Sequence, residues 1–167
     1  MTDLAVQIRH ELPGDADAIL HLHERAFGPG RFARTAFRLR EGVPERLDLS
    51  FAALVGTLLV GSVRMSPILA GPEPALALGP LAVEPAFEGR GIGAALMARA
   101  LEAAKAAGHC LVLLVGDAPY YARFGFNPVP KGKLDMPGPV DPARLLAAEL
   151  VPGALERAAG RVLAFRE

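Results

Sequence analysis

A mixed α/β sheet with helices packed on both faces, in one domain of 167 residues, is the fold class that the sequence predicts. Three observations carry it. Several short apolar runs, either alternating or continuous, are bounded by Gly and Pro. Two longer stretches repeat their apolar residues at helical spacing. The two kinds alternate in the order βααβββαβαβ before a β-rich tail, and no internal repeat or linker divides them.

Composition bounds the function as well. An apolar share of 51% against 22% charged residues excludes disorder, and a chain of this length buries roughly 68–70% of its unfolded surface without staples. Cys110 is the single cysteine, which suits a reducing cytosol and excludes a cysteine zinc site and a disulfide scaffold. Eighteen basic residues balance eighteen acidic ones, against a nucleic-acid or membrane-surface role. Charges fall within the first apolar run, and no apolar run reaches about 18 residues, so neither a signal peptide nor a membrane span is expected and the location expected is cytoplasmic. Aromatics make up only 6%, and the two tyrosines, Tyr120 and Tyr121, are adjacent.

Residues 4–9 alternate as a strand whose even positions face inward. Pro13-Gly14-Asp15 opens a helix in which Ala18, Ile19, Leu22, Ala26 and Phe27 recur at helical spacing, and Gly28-Pro29-Gly30 ends it. A shorter helix is expected over residues 32–39, then a polar link over 40–48. Residues 51–55 and 58–65 read as a hairpin around Gly56-Thr57, and residues 67–74, rich in Pro and Gly, as a loop. The strand over 76–83 carries a defect: its large residues sit at even positions (Leu76, Leu78), then at odd ones (Leu81, Val83), with Gly79-Pro80 at the change. A parity flip in a period-two pattern means one extra residue, a β-bulge, and a bulge splays neighbouring strands.

After the turn at residues 84–87, Glu88-Gly89-Arg90-Gly91-Ile92-Gly93 leads into an Ala-rich helix over 94–107, ended by Gly108. Residues 110–115 form a continuous apolar run, the pattern of a central strand buried on both faces. Asp117 then stands where it would cap a short helix carrying Tyr120, Tyr121 and Phe124. A strand over 125–129, an apolar strand at 145–150, a short helix opened by Pro152-Gly153 and a last strand at 161–165 complete the reading.

Chemistry concentrates in two segments. Glycines at alternate positions at a helix mouth let the backbone approach a ligand closely and aim unpartnered N–H groups at one point, where the helix dipole adds roughly half a positive charge. A phosphate or diphosphate is the natural guest. The plain alternative is a Gly-rich surface turn. Gly89-x-Gly91-x-x-Ala94 formally satisfies a dinucleotide fingerprint, but the loop does not follow directly from its strand and nearly half the chain precedes it. No Lys-Ser or Lys-Thr pair follows the glycines, against a P-loop.

Leu81-Ala82-Val83-Glu84-Pro85, the Gly-rich loop after it, and Tyr121-Ala122-Arg123-Phe124-Gly125-Phe126 together resemble the GNAT superfamily of N-acetyltransferases. With Leu78-Gly79-Pro80 and Gly116-Asp117-Ala118-Pro119-Tyr120, the chain is similar to a bacterial subgroup of predicted acetyltransferases. The similarity runs over residues 4–166, and its specific part over 76–127. The resemblance implies acetyl-CoA as cosubstrate, no metal, and direct attack by an acceptor amine in a ternary complex. It places the cosubstrate on Leu81, Ala82 and Val83 of the bulged strand, on Glu88, Gly89, Arg90, Gly91, Ile92, Gly93 and Ala94 of the loop, and on Asp117, Tyr120 and Phe124 beside the cleft. Glu88 departs from the family pattern by putting a carboxylate where a neutral amide or a cation is usual; its backbone contact is retained and its side chain expected to turn to solvent.

Tyr121 stands where the family carries a tyrosine that protonates the departing thiolate. The chemistry suits it, since a phenol with a pKa of about 10 is protonated at neutral pH and can donate to a thiolate whose conjugate acid lies near about 8.5. Both tyrosines could instead pack the short helix onto the sheet. Glu84, His10 and Glu24 are the groups nearest to candidates for a base, and each reads first as a solvated residue, so no base is assigned. Cys110 reads as a packed thiol. His10, His21, His23 and His109 lack metal-ligand spacing. Two rival functions stay open: a non-catalytic acyl-CoA-binding sensor or scaffold of the same fold, supported by Glu88 and the missing base, and a nucleotide-dependent oxidoreductase. The acceptor would be chosen by residues 27–40 and 131–140, whose mixed composition leaves a small molecule and a peptide both open, and the apolar tail strands could pair two copies as a homodimer.

Overall fold

Residues 5–28 and 46–165 are described in the computed structural model. The helix expected at 32–39, and part of the link and of the acceptor-choosing segment, lie outside them.

The sheet grows from consecutive antiparallel pairings. Strand β1 (Gln7–His10) pairs with β2 (Phe51–Val55), which turns at Gly56-Thr57 into β3 (Leu58–Ala70). Strand β3 is longer than its apolar run suggests. It continues through Pro67 to Ala70 and returns at once as β4 (Glu73–Val83), so the segment expected as a loop at 67–74 is the tip of a long hairpin. Pro and Gly there mark a tight turn, with Gly71 at φ +62°, rather than absent structure.

Between them lie α1 (Ala16–Phe27), preceded by a 3-10 turn at Pro13–Asp15 and closed by Gly28, and after β4 the long helix α2 (Ile92–Ala106). Helix α2 starts two residues earlier than its apolar pattern, because Gly91 takes the N-cap position. It ends in a Schellman motif: Gly108 N–H bonds the Lys105 carbonyl and His109 N–H that of Ala104. Strand β5 (Leu111–Val115) follows, then the one-turn helix α3 (Ala118–Tyr121), a 3-10 turn at Ala122–Phe124, β6 (Asn127–Pro128), β7 (Leu134–Asp135), β8 (Leu145–Glu149), α4 (Ala154–Arg157) and β9 (Gly160–Ala164). The expected strand at 125–129 shrinks to two residues, while β7 has no apolar run to announce it.

The strand order is β1-β2-β3-β4-β5-β8-β6, with β9 joined to the far end of β3 and to β7. Only β4–β5 and β7–β9 are parallel. Alternation sends Phe51, Met65, Leu76 and Leu78 to one face, under Leu96 and Met97 of α2 and with Phe126. The other face holds Ala52, Leu59 and Ala82 under Ile19 and Leu22 of α1, and at its far end Ile68, Leu111, Leu113 and Val162. In β1, Ile8 packs on the core as its parity requires, whereas Val6 lies before the strand and is 38% exposed.

Candidate active site

The expected bulge is present. Val63 pairs with Leu81 and Met65 with Leu78, so Gly79 and Pro80 together oppose Arg64 alone. The extra residue restores parity: Leu76 and Leu78 before it, and Leu81 and Val83 after it, pack on the same core. On the other side of β4 the parallel ladder to β5 is confined to Leu76–Val112 and Ala77–Leu113, although β4 runs on to Val83. Beyond Ala77 no strand among the described residues pairs with that edge of β4, and its polar backbone groups face the split between the two strands.

One side of this split ends at the mouth of α2. Gly89 and Gly91 both have φ +78°, in the left-handed region that an L side chain adopts only at a cost. The first bond into the helix runs from Ala95 N–H to the Gly91 carbonyl at 3.0 Å. The N–H groups of Ile92, Gly93 and Ala94 therefore have no helical acceptor, and no side chain caps them. Ile92 is buried and anchors the mouth, while Glu88, Gly89, Arg90 and Gly91 are exposed. The approach of α2 to the sheet depends on Gly61, where a Cβ would stand 3.0 Å from both Ile92 Cγ2 and Leu96 Cδ1. The Arg90 guanidinium sits 5.3 Å over the Phe87 ring, and Glu88 forms no ion pair among the described residues.

The other side is α3. Asp117 occupies the N-cap position, but its exposed carboxylate caps nothing: its backbone carbonyl accepts from Tyr121 N–H at 3.1 Å, and the side chain bonds no helical N–H. The expected capping role therefore fails, because Pro119 in the first turn and the backbone bond already define the short helix. Phe124 falls in the 3-10 turn, which Gly125 closes at φ +88°. The two tyrosines lie edge to face at 4.9 Å and divide in their surroundings. Tyr121 lies over Gly116, where a Cβ would stand only 2.4 Å from its Cε2, and meets Phe126 edge-on at 6.1 Å. Burial pushes its phenol above the usual value, the neighbouring Tyr120 adds to the rise, Arg144 opposes it, and Asp117 contributes last. Tyr120 turns the other way. Its hydroxyl comes within 3.3 Å of the place a Cβ on Gly93 would take, and Val83 Cγ2 lies 3.7 Å from that place. Residues distant in sequence thus converge: Val83 at the end of β4, Gly93 at the mouth of α2 and Tyr120 on α3.

The groups considered for proton removal have other partners. Glu84 accepts from Arg25 of α1 at 2.7–2.8 Å, and the His10 ring stacks on Phe51 at 4.5 Å. The sequence did not announce a buried pair on the α1 face: Glu11 receives Nε and Nη2 of Arg64, each at 3.0 Å, and Arg64 is the residue opposite the bulge. Two charges 53 positions apart offer no periodic signal. Gly116 was also missed as a site residue; its place between an apolar strand and the tyrosine pair is the available clue.

The sheet is opened between two parallel strands, with the open mouth of α2 on one side and the half-buried phenol of Tyr121 on the other. The chain belongs to the acetyltransferase (GNAT) family, whose model matches residues 16–126, and it is accordingly an acyltransferase. It is 32% identical over 122 residues, 72% of each chain, to the N-acetyltransferase YhbS of Escherichia coli strain K12, and 33% identical over 119 residues to YjhQ of the same organism, covering 68% of this chain and 65% of that one; both relatives are described as uncharacterized. The crystal structure of Escherichia coli YhbS in complex with CoA superposes with a TM-score of 0.83 at 28% identity, over 99% of this chain and 92% of that one. A GNAT acetyltransferase from Brucella melitensis in complex with acetyl-CoA gives 0.62 at 30% identity, over 87% and 96%. Among the described residues no helix is long and apolar enough to cross a membrane.

Proposed function

We propose that the chain transfers the acetyl group of acetyl-CoA to a primary amine, by direct attack within a ternary complex. The observation that carries this reading is the split between β4 and β5, with the open mouth of α2 at one side and Tyr121 at the other. The diphosphate would lie against the N–H groups of Ile92, Gly93 and Ala94, with Glu88, Gly89, Arg90 and Gly91 around it. The pantetheine arm would run along the unpaired edge of β4 at Leu81, Ala82 and Val83, past Asp117, Tyr120 and Phe124.

The amine nitrogen attacks the thioester carbon and forms the C–N bond. A backbone N–H of β4 near the bulge stabilises the oxyanion. The C–S bond then breaks as the electron pair moves to sulfur, and Tyr121 gives its proton to the thiolate. The nitrogen loses its surplus proton to water. A raised phenol pKa keeps Tyr121 protonated and able to donate at neutral pH. Holding both reactants in one cleft supplies much of the rate.

The test is Tyr121→Phe, assayed with acetyl-CoA and an amine acceptor selected by a thiol-release screen. A fall in kcat of about a hundredfold or more, with acetyl-CoA affinity retained, supports the assignment. Unchanged kcat removes Tyr121 from the mechanism. Acetyl-CoA binding without turnover on any amine in the parent protein would favour the scaffold reading, for which the Glu88 carboxylate is the supporting feature.

A further inference from the structure

We propose that the Tyr120 hydroxyl donates to the diphosphate of the bound thioester, supplying at the α2 mouth the side-chain donor that Glu88 cannot supply. The proposal rests on the acetyl-CoA reading and assigns Tyr120 a task separate from that of Tyr121.

Three observations lead to it. The hydroxyl stands 3.3 Å from the place a Cβ on Gly93 would take, and Gly93 contributes the middle one of the three N–H groups that the helix leaves open. An anionic oxygen held at about 2.9 Å from that N–H is within reach of an O–H donor, which bonds at about 2.7 Å. Among the described residues this hydroxyl has no hydrogen-bond partner, while its ring is held on several sides: edge to face with Tyr121 at 4.9 Å, tilted against Phe124 at 5.8 Å, and beneath the Arg123 guanidinium at 4.4 Å. A ring so fixed delivers its hydroxyl to one place at little entropic cost. The third observation is electrostatic. Glu88 is exposed at the same mouth and carries no ion pair among the described residues, so it repels a diphosphate and accepts hydrogen bonds without donating any. Tyr120 offers a neutral donor directed at the mouth from the opposite wall.

Tyr120→Phe removes the hydroxyl and keeps the ring contacts, and a melting temperature checks that the fold is retained. Binding of three donors is measured by calorimetry on parent and variant: acetyl-CoA, S-acetyl-4′-phosphopantetheine, which keeps the proximal phosphate, and S-acetylpantetheine, which has none. The expected result is a loss of about ten- to a hundredfold for the two phosphorylated donors, the scale of a hydrogen bond to a charged group, with no change for S-acetylpantetheine. Glu88→Gln in the Tyr120→Phe background should restore part of the loss, since both side chains act on one diphosphate. Equal losses for all three donors would mean that Tyr120 serves the pantetheine arm or the packing, and would overturn the proposal, as would no loss at all. A parent protein that binds none of the three fails the acetyl-CoA reading itself, a result distinct from a parent that binds all three and a variant that matches it.

Discussion

Replacing Gly116 by Ala is the sharpest perturbation of the site that leaves every polar group in place. The added methyl would stand 2.4 Å from Tyr121 Cε2, 3.0 Å from its Cδ2 and 3.1 Å from Leu114 Cδ1. Carbon atoms settle at about 3.5–4.0 Å, so the ring must retreat by roughly 1.1 Å or more. Phe126 at 6.1 Å and Tyr120 at 4.9 Å between ring centroids hem it on other sides, and neither Phe126 nor Leu114 is free to yield, since both are buried. Overpacking of this kind costs about 1–3 kcal/mol of stability. Displacement of the phenol by about 1 Å from its working position costs about a hundredfold in rate. Steady-state turnover, acetyl-CoA calorimetry and thermal unfolding would be run on Gly116→Ala, Tyr121→Phe and the double variant. The expected outcome is a kcat lower by about a hundredfold, acetyl-CoA affinity within about threefold of the parent, and a double variant no slower than Tyr121→Phe alone. A Gly116→Ala enzyme with kcat within about twofold of the parent, or losses that multiply in the double variant, would refute the assignment of Gly116 as the seat of the acid.

Two further predictions concern the frame. In the pair between Glu11 and Arg64 the side chains are 3% and 14% exposed, so Arg64→Ala strands a buried carboxylate and should cost about 3–5 kcal/mol in urea unfolding. The double replacement Glu11→Leu with Arg64→Met should recover most of it, and a double variant as unstable as the single one would show that the charges themselves are required. Asp15 is held below the ordinary carboxylate value, first by its hydrogen bonds from Arg9, then, against the opposing effect of burial, by Leu12 N–H and by the Arg9 charge. A depressed folded pKa contributes stability that is complete above the unfolded value of about 3.9 and disappears as pH falls through the folded value. The stability gap between the parent and Asp15→Asn should thus be open near pH 6 and narrow by pH 3; a gap independent of pH would count against the pair.

Legibility followed the range of the interactions. The bulge was readable because it is a parity defect in a strand, a signal contained in eight residues, and the mouth of α2 because its glycines alternate within one short stretch of the chain. Tyr121 was separable from Tyr120 only through the resemblance of its motif. The sequence did not distinguish the directions in which the two rings point, since that depends on Gly116 lying beneath one and Gly93 opposite the other. Residues 67–74 were misread because Pro and Gly suit a loop and a hairpin tip equally, and only pairing with β4 and β9 decides between them. Strand β7, two residues long, borrows its order from β9. The ion pair of Glu11 with Arg64 is a purely tertiary fact.

The tip of the β3–β4 hairpin constrains how this enzyme can be altered. Gly71 N–H bonds the Arg161 carbonyl at 2.8 Å, and a Cβ there would stand 1.9 Å from the Ala159 oxygen, so the turn is clasped by the segment leading into β9. The β2–β3 turn at Gly56-Thr57 is exposed, and a Cβ on Gly56 would meet nothing within 4 Å. Two hairpins of the same sheet therefore differ in the freedom they leave to sequence drift. A peptide tag, a fluorophore or an inserted domain belongs at the second, far from the clasp, whereas length variation at the first would pry β9 from β3 and open the core that Ile68 and Val162 share.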